Sequence, residues 1–179
     1  ASKSVTVNCP PCSIPVATNN GPVCVGAIIN LNVNPNLAAG VTATYAWNGP
    51  GGASTQQNPN LGAATAAKAG VYTVTVTYSD GCVVTATTIV VVNALPNAAV
   101  AANGPLTFCA GGSVTLTASG GNTYAWSNGT TIAATNISTS GTYTVTVTNA
   151  AGCTATTTRT VVVNALPNAA VAANGPLTF

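Results

Sequence analysis

Cysteine is the residue type in this chain with the most chemistry to offer. Six are present, Cys9, Cys12, Cys24, Cys82, Cys109 and Cys153, among 179 residues that include no histidine, no glutamate and a single aspartate. General acid–base catalysis needs a positioned group that titrates near neutral pH. Asp80, alone in a turn, does not meet that need, so the sequence predicts no enzyme. Cys9-Pro10-Pro11-Cys12 has a spacing used in zinc sites, but there is no histidine and no second close cysteine pair to complete a ligand set. Calcium wants several carboxylate or carbonyl oxygens, and Asp80 has Ala151 as its counterpart in the second half of the chain. No metal and no cofactor is expected. The six cysteines predict disulfides instead, and with them an oxidising, extracellular setting.

Charge is almost absent. Lys3, Lys68, Asp80 and Arg159 are the whole inventory, 2% of the residues, against about 25% in a typical soluble domain. Charge normally keeps proteins apart, so a surface of Thr, Asn, Ser, Ala and Gly is one made to pack. A net charge of +2 without a basic cluster argues against nucleic acid. The hydrophobic fraction is 47%, yet no apolar run approaches the roughly 20 residues that span a bilayer. Lys68 beside an Asn-rich strand raises the idea of a Lys–Asn crosslink, but its counterpart is Thr139 and no partner acid is evident, so a solvated lysine is expected. The absence of a signal peptide carries no information in a chain that begins at Ala1 without methionine.

The elements that must carry these residues repeat. Val90 to Phe108 returns letter for letter as Val161 to Phe179, an offset of 71 residues, and a fixed period of that size predicts one folding unit per period. The expected organisation is a closing strand (SVTVN) and Cys-Pro linker of a preceding unit in residues 1–12, a first unit at 13–92, a second at 93–163, and a linker with the first strand of a following unit at 164–179. Within the first unit Ile29, Leu31 and Val33 alternate with Asn30, Asn32 and Asn34. Tyr72, Val74, Val76 and Tyr78 alternate with Thr73, Thr75 and Thr77. Period two predicts half-buried strands. Ser79-Asp80-Gly81 turns this last strand into Cys82 to Val92, and Asn48 to Leu61 reads as a Gly/Pro/Asn loop. The second unit repeats the plan through Val114-Leu116-Ala118, Tyr124-Trp126 and Tyr143-Val145-Val147, with a turn at Asn149 to Gly152.

No stretch has helical periodicity, so the fold class is all-β, tandem antiparallel β-sandwiches of immunoglobulin type. The core signature is Trp47 and Trp126 in the third strand, with Tyr72 and Tyr143 in the penultimate one. Gly70-Val71-Tyr72 and Gly141-Thr142-Tyr143 match the tyrosine corner of that fold, with Val74 and Val145 where an antibody domain has cysteine.

On Phe108-Cys109-Ala110-Gly111-Gly112-Ser113-Val114-Thr115-Leu116, Tyr124-Ala125-Trp126-Ser127-Asn128-Gly129, and Gly141-Thr142-Tyr143 through Gly152-Cys153, the chain resembles the tandem immunoglobulin-like or related polycystic-kidney-type repeats of giant surface proteins in Bacteroidota, including gliding adhesins exported by type IX secretion. The resemblance implies a cell-surface or extracellular location and neighbouring units of the same kind. The turn Asn149-Ala150-Ala151-Gly152 lacks the aspartate that many members carry there. The same module serves stalks, adhesins and filament walls, so the resemblance does not name a ligand.

Repeat symmetry pairs Cys24 with Cys82 and Cys109 with Cys153 inside each unit. Strand direction offers another scheme. In an immunoglobulin-like unit Cys24 and Cys109 precede the second strand at one end, and Cys82 and Cys153 sit in the last hairpin at the other. A strand of about nine residues spans roughly 30 Å, whereas a disulfide needs Cα atoms within about 7 Å. Cys24 would then reach Cys153, Cys82 would reach back to Cys9 or Cys12, and Cys109 would await a following unit. Connectivity stays open between the two schemes.

The surface offers few alternatives. Thr73, Thr75, Thr77 and Thr144, Thr146, Thr148 form regular polar rows, expected as neutral strand surface rather than an ice-binding plane because sheets twist. Trp47 and Trp126 are expected in the core and not as sugar platforms. Asn128-Gly129-Thr130 and Asn136-Ile137-Ser138 are glycosylation triplets with little weight in a bacterium. The terminal strand of 164–179 is a candidate for strand addition to a neighbouring copy. The function expected is a structural segment of an extracellular filament, appendage or giant adhesin, self-packing into a homo-oligomer or filament and carrying mechanical load. The alternative is a module binding cell-surface glycans.

Overall fold

Side-chain alternation decides where the strands fall. In the computed structural model, which describes residues 12–170 and residue 175, the chain divides into two units, Ala1–Ala94 and Leu95–Phe179. The first unit contains β1 (Val16–Asn19), β2 (Val23–Cys24), β3 (Ile28–Asn34), β4 (Ala43–Asn48), β5 (Asn60–Ala63), a 3₁₀ turn (Ala66–Lys68), β6 (Gly70–Tyr78), β7 (Val83–Val90) and β8 (Val92–Asn93). The second contains β9 (Ala99–Ala102), β10 (Thr107–Cys109), β11 (Val114–Ser119), β12 (Thr123–Trp126), β13 (Ala134–Ile137), β14 (Gly141–Thr148) and β15 (Thr154–Asn164).

Each unit is a sandwich of two layers. In the second, β9, β11 and β13 form one sheet in the order β13-β11-β9, and the other runs β10-β15-β14-β12. Its neighbours are antiparallel except β10, which lies parallel to β15. The first unit has the corresponding order β1-β3-β5 in one layer and β4-β6-β7 in the other, with β2 parallel to β8. The strand that is continuous as β15 is broken in unit 1. At Val91 the chain leaves β6 and turns to β2, where the Val23 N–H donates to the Val91 carbonyl at 3.0 Å. The reading of one strand from Cys82 to Val92 is corrected accordingly to two strands, β7 and β8.

Alternation also builds the cores. Ile29, Leu31 and Val33 of β3 face Trp47 of β4 and Tyr72, Val74 and Val76 of β6. In unit 2 the corresponding set is Val114, Leu116 and Ala118 with Trp126, Val145 and Val147. Burying each of the Val, Leu and Ile side chains contributes about 1.5–3 kcal/mol. The indoles are anchored at their polar ends: Trp47 Nε1 donates to the Gln57 carbonyl and Trp126 Nε1 to the Ile132 carbonyl, both at 3.2 Å.

The stretch read as loop from Asn48 to Leu61 contains more structure than its composition suggests. Ser54 bridges back to Trp47, and β5 begins at Asn60. Gly49 and Gly51 lie against the Tyr72 ring where no Cβ would fit. The closing strand expected within residues 1–12 falls almost wholly outside the described residues. So does most of the first strand expected in 164–179, since β15 ends at Asn164 and 165–170 form no regular element.

Candidate functional site

The cysteines occupy the two ends of each sandwich. In unit 1 Cys24 ends β2 opposite Asn93, whereas Cys82 sits in the β6–β7 turn, with all of β7 between. In unit 2 Cys109 ends β10 opposite Asn164, whereas Cys153 directly precedes the 11 residues of β15. An 11-residue strand is about 36 Å long. Pairing inside a unit, Cys24 with Cys82 and Cys109 with Cys153, is therefore corrected: the ends lie too far apart for a bond that needs Cα atoms within about 7 Å. Cys82 is instead bonded to Cys12, with Cα atoms 5.8 Å apart and 70 residues between them in sequence. Cys24 and Cys153 are also disulfide-bonded. Cys109 is a free, exposed thiol. Cys9 lies outside the described residues.

The hairpin turns that hold the turn cysteines are built by local side-chain bonds. Asp80 Oδ1 accepts the Cys82 N–H at 3.0 Å. In unit 2 Asn149 Oδ1 does the same for Cys153 at 3.0 Å and for Ala151 at 3.1 Å. A neutral amide thus replaces the carboxylate, and the geometry needs no charge.

The second feature is a sheet face. Outward from β14 and β15, Thr142 stands across from Thr160, Thr144 from Thr158, Thr146 from Thr156 and Thr148 from Thr154. The Thr142 and Thr160 hydroxyls share a hydrogen bond at 3.2 Å. β12 extends the face with Thr123 and Ala125. Unit 1 has the same face in the same register. Thr73 pairs with Thr87 and Thr75 with Thr85, while the rows end in Val71 opposite Ile89 and Thr77 opposite Val83. Val71, Val83 and Ile89 are more than half exposed. Half of this array was invisible in the sequence, because the partner row on β7 and β15 is set by register and not by composition.

Among the described residues no charged side chain stands in these threonine rows. Lys68 Nζ donates to the Leu61 and Ala63 carbonyls at 2.6 and 3.0 Å, and Arg159 reaches the Val100 carbonyl at 2.9 Å. Both cations are thus spent on their own backbone. Asp80 serves its turn. Among the described residues no group of three His, Cys, Asp or Glu side chains could hold a metal, and no helix is long and apolar enough to cross a membrane. A shallow open cleft beside β4 is lined by Ala46, Ala53, Ser54, Thr55 and Gln56 over Trp47, which is only 2% exposed. It offers neither an aromatic platform nor a charge.

Tyr72 and Tyr143 lie on β6 and β14, the strands adjoining β7 and β15. Tyr72 donates its hydroxyl to the Lys68 carbonyl at 2.9 Å and Tyr143 to the Thr139 carbonyl at 3.0 Å, each four residues upstream. That is a tyrosine corner in both units, and the sheet orders correspond to the A-B-E and A′-G-F-C layers of one fold. Both units are immunoglobulin-like.

No family model matches the sequence, and no curated protein sequence matches it either. Solved structures similar to the chain include murine CEACAM1b, at 14% identity over 83% of this chain and 99% of that one, with a TM-score of 0.43. The three N-terminal domains of the bacteriophage RB49 highly immunogenic outer capsid protein are 19% identical over 84% of this chain and 58% of that one, TM-score 0.44. The insect immune protein hemolin is 14% identical over 80% and 44%, TM-score 0.42. At such identities these similarities concern the fold alone.

Proposed function

We propose that this chain is a structural repeat segment of an extracellular appendage, filament or giant cell-surface adhesin of the Bacteroidota kind, in which immunoglobulin-like units are joined in series and pack laterally against copies of themselves. The observation that supports this reading is the paired threonine face of β14 and β15, repeated at the same register on β6 and β7, with Lys68 and Arg159, the two cations among the described residues, turned onto their own backbone. Such a face meets an identical face without like-charge repulsion, and its hydroxyls both donate and accept.

Mechanical continuity is supplied by disulfides. Disulfides staple the chain, Cys12 to Cys82 among them, so that extension pulls on covalent bonds. Tightly hydrogen-bonded sheets carry the rest. The buried indoles of Trp47 and Trp126 speak against the alternative of a glycan-binding module. Catalysis is not proposed, since the sequence holds no histidine, no glutamate and a single aspartate.

The test is the native mass of the unreduced chain by native mass spectrometry over a range of concentrations. A defined multimer is the expected result. A monomer at every concentration would reduce the segment to a passive stalk and overturn the lateral-packing part of the proposal.

A further inference from the structure

The turn after β2 and the turn after β10 are one structure written twice. Cys24 stands opposite Asn93, and Cys109 opposite Asn164. The Val25 N–H donates to the Asn93 carbonyl at 2.9 Å, and the Ala110 N–H to the Asn164 carbonyl at 2.8 Å. The Ala27 N–H donates to the Cys24 carbonyl and the Gly112 N–H to the Cys109 carbonyl, both at 3.0 Å. Two residues past each cysteine is a glycine at φ 91°, Gly26 and Gly111. Backbone placement of the two cysteines is thus the same.

Their chemistry differs. Cys24 is disulfide-bonded, as are both turn cysteines, Cys82 and Cys153, whereas Cys109 is a free thiol exposed to solvent. A turn cysteine accepts a partner from outside the sandwich strands, since Cys82 takes Cys12, which precedes β1. Within its own unit Cys109 has no cysteine in reach, because the length of β15 separates it from Cys153.

We infer that Cys109 is a covalent attachment site that takes the turn cysteine of another unit of this repeat. The inference rests on the reading of units joined in series. Bond formation needs a two-electron oxidant, here a small disulfide of the glutathione class. The turn cysteine thiolate attacks that disulfide, forming a mixed disulfide and expelling one small thiolate. Cys109 thiolate then attacks the protein sulfur of the mixed disulfide, and the second small thiolate leaves with the electron pair. Two protein thiols and one small disulfide give one protein disulfide and two small thiols.

The experiment continues the chain after Phe179 with a further copy of residues 109–164, marked by one residue of distinct mass in its turn. After oxidation in a glutathione buffer, free thiols are alkylated and the protein is digested with pepsin at acid pH, where exchange is frozen. The expected map places Cys109 in a disulfide with the marked turn peptide, and the appended copy of Cys109 is alkylated in its place. In the Cys109→Ser version the marked turn cysteine becomes alkylated while Cys12–Cys82 persists. An alkylated or glutathione-capped Cys109 in the continued chain, or Cys109 joined to Cys153, would overturn the inference. Because the readout is a peptide map, its failure is separable from failure of lateral packing, which native mass reports.

Discussion

Tyr72 donates its phenolic hydrogen to the carbonyl of Lys68, 2.9 Å away, from a ring that is fully buried. The bond ties the start of β6 to the 3₁₀ turn, and Gly49 and Gly51 close over the ring. Removing the hydroxyl leaves the carbonyl without its partner in a confined place. Tyr72→Phe should destabilise unit 1 by about 1–2 kcal/mol, read from chemical denaturation. Tyr143→Phe in the more open corner of unit 2 should cost about 1 kcal/mol or less.

Burial also raises the Tyr72 phenol above its ordinary pKa of 10.0, opposed by a backbone hydrogen bond from Gly51. Tyr78 is raised by burial first and then by the charges of Tyr45 and Asp80. Below pH 10 both tyrosines are protonated in the folded and unfolded chain, and neither affects the balance. As pH climbs past that value the unfolded chain loses its phenolic protons first, so the native state binds more protons and stability falls with pH. Unit 1 should therefore lose stability only above about pH 10, measured as the denaturant midpoint across an alkaline series. Tyr78→Phe should reduce that loss.

Cys12 and Cys82 close a 70-residue separation. Chain-entropy reasoning assigns such a link about 4 kcal/mol, and measured values run lower. Cys82→Ser should lower the stability of unit 1 by about 2–4 kcal/mol. A calorimetric scan of the unreduced chain checks this.

Gly120 has φ 99°, and a Cβ there would run into the Asn97 carbonyl. Gly26 has φ 91° but open space around it. Both carry the left-handed backbone penalty for alanine, and only Gly120 adds a collision with main chain. Gly26→Ala should cost about 1 kcal/mol and Gly120→Ala about 3 kcal/mol or more. Equal costs at the two sites would mean that the segment at Asn97, ahead of β9, moves aside freely.

The strands with a clean period of two were legible because one face is buried and the other is not. β3, β6, β11 and β14 fall where Ile29, Tyr72, Val114 and Val145 predict them. β5 and β13 were not, since Asn60–Ala63 and Ala134–Ile137 mix small and polar residues without alternation. The break at Val91 was hidden for another reason. Val90, Val91 and Val92 read as one apolar run, and only the pull of β2 decides which sheet each residue joins. The cysteine pattern needed distance along a strand and not spacing in sequence, which is why repeat symmetry suggested the wrong partners. The threonine rows of β6 and β14 were visible, but their partners on β7 and β15 depended on the register that the Asp80 and Asn149 turns impose.

Thr146 and Thr156 lie directly opposite one another near the middle of the second unit's uncharged face. Thr156 is exposed and Thr146 half-buried, and two lysines opposite one another repel and cost some sheet stability, so retention of the fold is checked by circular dichroism. The pair places two like charges on the face proposed to meet a copy. The most direct measurement is sedimentation velocity of the unreduced wild-type chain beside Thr146→Lys/Thr156→Lys and a control, Thr117→Lys, on the opposite layer. Lateral packing through this face predicts a multimer for the wild type and the control, and a shift to monomer for the double variant. A wild-type multimer that the double variant leaves intact would contradict the assignment of this face, and a wild-type monomer would contradict lateral packing itself.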